Sequence, residues 1–503
     1  MKVALTGLPG AGKSLVGRLL ADELGIPFLD LDDEVSREAG SEPARLIDSL
    51  GLDAFRSLEH RILTRVSGEH DGLLALGGGS LDDPRNAQLL REWRLIWLRP
   101  SLTTLVRRLS GDDSRPLLRG NLAARLDDIN LRRRPIFSRL AEASFEAETE
   151  ASEVARLVGR YVQEVEWVGP GVLWGRGSRH HLARFAPGRA AAVIAQPVTQ
   201  HWSEEIRRAL PEVPILAFDD HEDKKTLDSV RSLYGWAAQQ AFDRTTTVFA
   251  VGGGVTVDVV GFLAATYLRG LPLVDVPTTL LAAVDAGIGG KVGVDLPEGK
   301  NLVGAFHTPR ITVVDPEFWA SLPTSVLADA MAEIVKAALL EGDSALEALE
   351  EMAWPATPED LEPVARRAVA VKMAIVEADP KEEAERTYLN LGHTVGHALE
   401  QATGYQMSHG HAVAIGLSAI LRFGAPQGRA DGLVRRVEQL LLRFGLPIYA
   451  DIPPEQLMQP MGLDKKRSDG AKRLVLLERP GHPYLAAAND ADLRRLAEQM
   501  VRD

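Results

Sequence analysis

Eight residues near the start of the chain, Gly7-Leu8-Pro9-Gly10-Ala11-Gly12-Lys13-Ser14, constrain its fold more than anything else in it. They fit the pattern G-x-x-x-x-G-K-S/T. They follow an apolar run at residues 2–6 that reads as a strand, and they open a stretch at 12–24 that reads as a helix. A glycine loop in that position turns backbone N–H groups inward on a phosphate. Lys13 would reach the β- and γ-phosphates of a nucleotide and Ser14 would hold Mg²⁺. A plain glycine-rich turn is the competing reading, and the flanking strand and helix argue against it. Further apolar runs at 27–31, 72–76 and 95–98 supply strands for a parallel sheet with helices on both faces.

At 503 residues the chain is too long for one ordinary core. A helical stretch, ASEVARLVGRYVQEV, gives way to WVGPG at 167–171, and a second strand–helix alternation begins there. Runs at 191–194, 215–218 and 247–251 read as strands, the last ending in Gly252-Gly253-Gly254. Beyond Leu322-Pro323 long amphipathic stretches such as 325–341 and 361–377 predict a mainly helical part. The expected fold class is α/β. Its expected domains are a phosphate-loop domain at 1–165, a Rossmann-like nucleotide-binding domain at 166–322 and a mainly helical metal- and substrate-binding domain at 323–503.

The chain has no cysteine, so disulfides, thiolate nucleophiles and Cys-based zinc sites are excluded. Any metal must be held by His, Asp or Glu. A net charge of −13 argues against general nucleic-acid binding. No run of 18 apolar residues predicts a membrane span, and the N-terminus lacks signal-peptide anatomy, which makes the cytoplasm the expected compartment.

The first 164 residues carry more than a phosphate loop. Leu29-Asp30-Leu31-Asp32, Phe55-Arg56 with Glu59, Gly77-Gly78-Gly79, Arg115-Pro116-Leu117-Leu118 and Arg133-Arg134-Pro135 follow in order, and the loop itself runs on into Leu15-Val16-Gly17. Singly each has a bland reading: Asp30 or Asp32 as a helix cap, Arg56 or Arg133 as a solvated charge. Together they resemble shikimate kinase over about 1–164. The resemblance implies that Gly10, Gly12, Lys13, Ser14, Leu15 and Arg115 bind ATP, and that Ser14 and Asp30 serve Mg²⁺. It also implies that Asp32 meets the substrate hydroxyls, that Gly78 and Gly79 pack on its ring, and that Arg56 and Arg133 pair with its carboxylate; Lys13, Asp32 and Arg115 would be the catalytic group. Elementary chemistry agrees, because a carboxylated polyol needs arginines for its carboxylate and an aspartate to orient the attacking hydroxyl.

In the second part, the strand ending in Gly252-Gly253-Gly254-Val255, with Asp258 following, suits a dinucleotide pyrophosphate, though a tight turn with Asp258 facing solvent fits it too. The chain has only 12 histidines, yet His393, His397, His409 and His411 fall within 19 residues. His393 and His397 are four apart and share one helix face. With Glu333 as the distant carboxylate they make a zinc site, unless the cluster is metal-free.

GGGVTVD, TYLRG, VPTTLLAAVDAGIGGKVGVD, GKNLVGAF, AEIVKAAL, YLNLGHTVGHALE and HGHAVAIG resemble 3-dehydroquinate synthase over about 168–475. The resemblance implies metal ligation by Glu333, His393 and His409, normally of Zn²⁺ and alternatively of Co²⁺. His397 would stand beside the substrate. NAD would be held by Glu222, Lys225, Gly253, Gly254, Asp258, Thr278 and Thr279. Asp285, Lys291, Asn301, Lys336, Lys372, Arg386 and Asn390 would surround the substrate, and Lys291, Asn301, Lys336 and His397 would act in catalysis. Arg269 would reach the substrate phosphate from a neighbouring subunit, which implies a homodimer, and Lys465 or Lys466 would also reach it.

Two positions depart from that family's pattern: His411 stands where a glutamate is usual, and Val292 where a threonine is common. His411 is thereby placed to add a ligand or alter the response to pH. The expectation is a bifunctional enzyme of aromatic precursor synthesis. It would be a kinase that phosphorylates shikimate, followed by a lyase that converts a heptulosonate phosphate to 3-dehydroquinate. The rivals are a metal-dependent polyol dehydrogenase in the second part, or a fusion with one inactive regulatory half.

Overall fold

The glycine loop joins two elements whose burial explains it. Strand β1 (Val3–Thr6) is buried along its whole length, and the Lys13–Leu24 helix that follows buries Val16, Gly17, Leu20 and Ala21. Gly10 (φ 81°) and Gly12 (φ 93°) take left-handed backbone that L side chains disfavour, so the loop between them can turn its N–H groups to one point. In this computed structural model residues 1–91, 93–111, 116–118, 120–168, 171–186, 188–196, 200–382, 384–424, 431–463 and 472–501 are described. The expected roles of Arg115, Lys465 and Lys466 fall outside them.

Strands β2 (Phe28–Asp30), β3 (Leu73–Ala75), β4 (Arg94–Leu98) and β5 (Ala143–Phe145) join β1 in a parallel sheet ordered β2-β3-β1-β4-β5. A core that includes Leu31, Phe55, Leu63, Trp97 and Phe137 fills one side. Two compact units divide the chain. The first is Met1–Glu166 together with His181–Pro187; the second is Trp167–His180 and Gly188–Asp503.

The first unit is therefore not one continuous piece of sequence. His181 stacks edge-on against Tyr161 (5.4 Å from Phe145, 4.6 Å from Tyr161), and Arg184 donates to the Tyr161 hydroxyl at 3.3 Å. A cut near Val165 would fall at the domain boundary that the sequence predicts. That cut strips away the segment covering Tyr161. A fragment ending at 165 is expected to melt several degrees below one ending at 187, because a buried phenol loses its cover and a donor. Equal melting midpoints by calorimetry would show that the segment contributes nothing.

In the second unit β6 (Glu166–Trp167), β7 (Val172–Trp174), β8 (Ala190–Gln196), β9 (Ile215–Asp219), β10 (Thr247–Gly252) and β11 (Leu273–Pro277) enter one sheet. An antiparallel hairpin, β12 (Lys291–Leu296) with β13 (Gly299–Phe306), stands outside it, and β14 (Ile311–Val314) returns to it. The sheet order is β6-β7-β14-β11-β10-β8-β9. Strand β10 is central and wholly buried, and its C-terminal end delivers the glycine triplet to the Gly254–Thr266 helix. Val292 is buried against Gly261 of that helix, so an apolar residue there is a packing element.

From Thr324 onward helices dominate: Thr324–Glu341, Pro358–Ala378, His393–Ala402 and His409–Gly424 carry the expected site residues. One hairpin, β15 (Lys472–Leu477) with β16 (Pro483–Ala488), interrupts them. Its signal was a short apolar run before Pro480-Gly481-His482-Pro483, too brief to register beside the long helical stretches. No helix among the described residues is long and apolar enough to cross a membrane.

Candidate active sites

In the first unit, the strand ends deliver the expected residues to one place. Asp30 closes β2 and caps the next helix, accepting the Asp32 N–H at 3.0 Å. Arg56 and Glu59 lie one turn apart on the Leu52–Glu69 helix and pair at 2.6 Å. Buried Glu59 also accepts from the Ser80 hydroxyl at 2.7 Å. Arg133 reaches in from the Leu122–Leu140 helix and is held in a two-pronged pair by Asp82 (2.9 and 2.6 Å), which also lies 3.6 Å from Arg56.

The glycine triplet fits between these groups for a steric reason. A Cβ on Gly79 would overlap the guanidiniums of both Arg56 and Arg133, and one on Gly78 would press on the Pro9 ring at 3.1 Å. The two arginines and the phosphate loop therefore meet across the triplet. Lys13 donates to the carbonyls of Gly7 (3.1 Å) and Leu8 (3.3 Å), inside its own loop. Beside the loop lies a cavity of about 590 Å³ lined by Gly12, Leu15, Arg107, Arg108 and Glu148, large enough for a nucleotide base.

Asp82, which orients both arginines, escaped the sequence reading. It sits in a short turn after the triplet, and no periodicity marks it. The arrangement predicts that Arg133→Ala raises KM for a carboxylated substrate about 10–100-fold, the worth of one charged hydrogen-bonded pair, and lowers kcat less. Steady-state kinetics with an unchanged KM would remove Arg133 from the substrate site.

In the second unit, the histidine cluster is built by a close helix crossing. Gly396 faces Ala412 of the His409–Gly424 helix at 3.3 Å from where its Cβ would be, and a Cβ on Gly416 would run into the Gly392 carbonyl. At 416 only glycine permits that approach, and the crossing brings the rings of His393 and His409 to 5.4 Å. Glu333, on the buried face of the Thr324–Glu341 helix, lies 3.2 Å from the Nε2 atoms of both. One donor atom from each of the three falls within 4.8 Å of the others, the single such group among the described residues. Two imidazoles and a carboxylate suit Zn²⁺ and leave coordination positions for a substrate.

His397 stands beside His393, ring centres 5.4 Å apart, outside the three donors. Burial and then the neighbouring His393 push its pKa down to about 3, so it is neutral and only weakly basic. His411 is also outside the donor group; its backbone N–H meets the Ser408 hydroxyl. Burial opposes the charged form of Glu333, but the adjacent Lys336, paired with it, and His393 hold its carboxyl well below the usual range.

Around the cluster the expected substrate residues pair with carboxylates. Lys372 pairs with Asp285, whose carboxyl burial would raise but the ammonium holds low. Lys291 and Asn390 both meet Glu382, at 2.5 and 2.9 Å. Arg386 is buried and donates to the carbonyls of Gly289 and Pro380, each at 2.8 Å. Asn301 and Arg269, both exposed at positive φ (54° and 68°), make no side-chain hydrogen bond or ion pair with this group among the described residues.

The residues expected to hold the cofactor adjoin this group, linked to it through Lys300 and Glu400. Lys225 is buried and paired with Asp258 at 2.6 Å, and Glu222 pairs with Lys300 at 2.6 Å. Glu222, Lys225, Asp295 and Lys300 line a cavity of about 880 Å³. Thr278 donates its N–H to Gly252, and the Thr279 hydroxyl caps the turn at Ala282. Asp220 accepts from the N–H groups of Gly253 and Thr256, both at 2.8 Å. Sequence reading missed Asp220, Glu382 and Glu400. Only Glu400 left a trace, seven residues after His393 on the same helix face.

The chain matches the family models for shikimate kinase at 9–164, the N-terminal part of 3-dehydroquinate synthase at 215–329 and its C-terminal part at 330–467. It is 41% identical to 3-dehydroquinate synthase of Symbiobacterium thermophilum over 349 residues, covering 67% of this chain and 97% of that protein. Among solved structures it resembles a 2-epi-5-epi-valiolone synthase from Streptomyces hygroscopicus subsp. jinggangensis with NAD⁺ and Zn²⁺ bound (TM-score 0.60, 26% identity, 67% of this chain, 97% of the other). It also resembles a 2-deoxy-scyllo-inosose synthase complexed with carbaglucose-6-phosphate, NAD⁺ and Co²⁺ (TM-score 0.56, 26% identity, 62% and 91%).

Proposed function

The chain belongs to the shikimate kinase family in its first part and to the 3-dehydroquinate synthase family in the rest, and from that premise we propose how its residues divide the work. It is a bifunctional enzyme of the shikimate pathway. One part transfers a phosphoryl group from ATP to shikimate. The other converts 3-deoxy-D-arabino-heptulosonate 7-phosphate to 3-dehydroquinate and phosphate.

In the kinase part, Lys13 would neutralise charge on the transferred phosphate, with Mg²⁺ held through Ser14 and Asp30. Asp32 would orient the attacking hydroxyl, and Arg56 and Arg133 would grip the carboxylate, steadied by Glu59 and Asp82. The convergence of both arginines on Gly79 is the observation that supports this most.

In the synthase part, Glu333, His393 and His409 would hold Zn²⁺ or Co²⁺, and the large cavity beside Glu222 and Lys225 would take part of NAD. The metal supplies polarisation of the substrate hydroxyls and NAD a reversible hydride store, both returned unchanged at each turnover. Lys291, Lys372 and Arg386 would meet the carboxylate and phosphate. Neutral His397 would stand beside the substrate ring and offer it a hydrogen-bonding nitrogen. A polyol dehydrogenase would have no use for so many cations at one site. It would also accumulate NADH, whereas this enzyme should release phosphate with only catalytic NAD; a spectrophotometric trace tells the two apart.

The synthase part would work as a homodimer. Leu268, Leu302 and Phe306 are exposed apolar residues near Arg269 in sequence or on β13, the kind of surface a partner covers. Light scattering is expected to give twice the chain mass, and a monomer with full synthase activity would refute the dimer. Dependence on ATP and NAD supports a cytoplasmic location.

A further inference from the structure

Glu400 has no part in the mechanism above, yet it is almost wholly buried, at 2% exposure, beside a metal ligand. A buried carboxylate is costly unless something holds it. Two groups hold this one. Its Oε1 lies 3.5 Å from His409 Nδ1 and 3.2 Å from Lys300 Nζ. His409 is thus gripped at both ring nitrogens: Nε2 faces Glu333, and Nδ1 faces Glu400. His393 is treated alike, with Nδ1 at 3.3 Å from the Leu391 carbonyl and Nε2 toward Glu333. Each ring is turned so that the same nitrogen enters the donor group.

Lys300 extends the arrangement. It reaches Glu222 at 2.6 Å, so one ammonium is shared between the carboxylate behind a metal ligand and a carboxylate lining the large cavity. Tyr405 covers this ammonium, its ring centre 5.2 Å away. The chain Glu222–Lys300–Glu400–His409 is continuous.

We propose that Glu400 is a positioning residue that fixes the His409 ring for metal binding, and that Lys300 ties it to Glu222 so that occupancy of the cavity by NAD is felt at the metal. A carboxylate on the far nitrogen of a ligating histidine sets its tautomer and raises its basicity, which is worth about 10–100-fold in metal affinity. When the hydroxyls of a bound ribose occupy Glu222, Lys300 is left to Glu400 and locks it in place, so NAD tightens the metal. Coupling of this kind is reciprocal and amounts to about fivefold or more.

The inference rests on the metal and cofactor reading above, and the test separates the two. Apo full-length chain is titrated with Co²⁺, followed by its visible absorption, with and without saturating NAD. The wild type should bind one Co²⁺ per chain, about fivefold or more tighter with NAD. Glu400→Gln should bind Co²⁺ about 10–100-fold more weakly, with an altered band, and NAD should no longer change that affinity; Glu400→Asp should recover part of the loss. Wild-type Co²⁺ affinity in Glu400→Gln overturns the positioning role. A wild type whose affinity ignores NAD overturns the link through Lys300. A wild type that binds no Co²⁺ at all would instead refute the three-donor metal site itself.

Discussion

Lys13→Ala is expected to lower shikimate phosphorylation by about 10³-fold or more while leaving dehydroquinate formation within twofold of wild type. Lys13 is the cation inside the phosphate loop, and it now rests on the carbonyls of Gly7 and Leu8, from which ATP would draw it. Phosphoryl transfer has little covalent chemistry for a protein to assist, so its rate depends on positioning and on charge at the transferred group. No other lysine lies in the loop. Parallel assays of both activities on one preparation check this. Kinase activity within tenfold of wild type would detach Lys13 from the transferred phosphate, and a parallel fall in the synthase would mean the substitution damages the whole chain.

The histidines should separate in the opposite half. His393→Ala or His409→Ala removes one of three donors and is expected to strip the metal and abolish synthase activity. His397→Ala should keep the metal and lose rate, because it removes a group beside the substrate and none of the three donors. Metal content by elemental analysis, read beside phosphate release, distinguishes these cases. A metal-depleted His397→Ala with a fully loaded His393→Ala would exchange the two assignments.

Both sites were legible in the sequence wherever a residue announces itself locally. The phosphate loop is contiguous, and His393 and His397 share a helix face by their spacing alone. Glu333 lies 60 residues before His393; it could be offered as the distant carboxylate of the cluster, and a matching family phrase then supported it. The groups that orient the site were invisible for a physical reason. Asp82, Glu382 and Asp220 are ordinary acids whose roles arise from tertiary approach, and a carboxylate that pairs with an arginine across the fold has no sequence period. The same holds for the segment 181–187. It follows residues of the second unit in sequence, yet its His181 and Arg184 close over Tyr161 of the first. His411 shows the converse: its place in the motif suggested a ligand, and the fold leaves it outside the donor group.

Fusion of these activities does not imply transfer of product between them. The synthase makes 3-dehydroquinate and the kinase consumes shikimate, and a dehydration and a ketone reduction separate the two.

The central claim is that one polypeptide carries two independent chemistries, one of them needing a tightly bound metal. The most direct measurement uses the purified chain, treated with chelator, desalted and returned to buffer with Mg²⁺. Phosphate release from the heptulosonate phosphate with catalytic NAD, and ATP-dependent phosphorylation of shikimate, are then followed side by side. The predicted result is a full kinase rate with no phosphate release, and recovery of release when Zn²⁺ or Co²⁺ is added. Phosphate release that survives the treatment, or NADH that builds up in place of phosphate, would contradict the account.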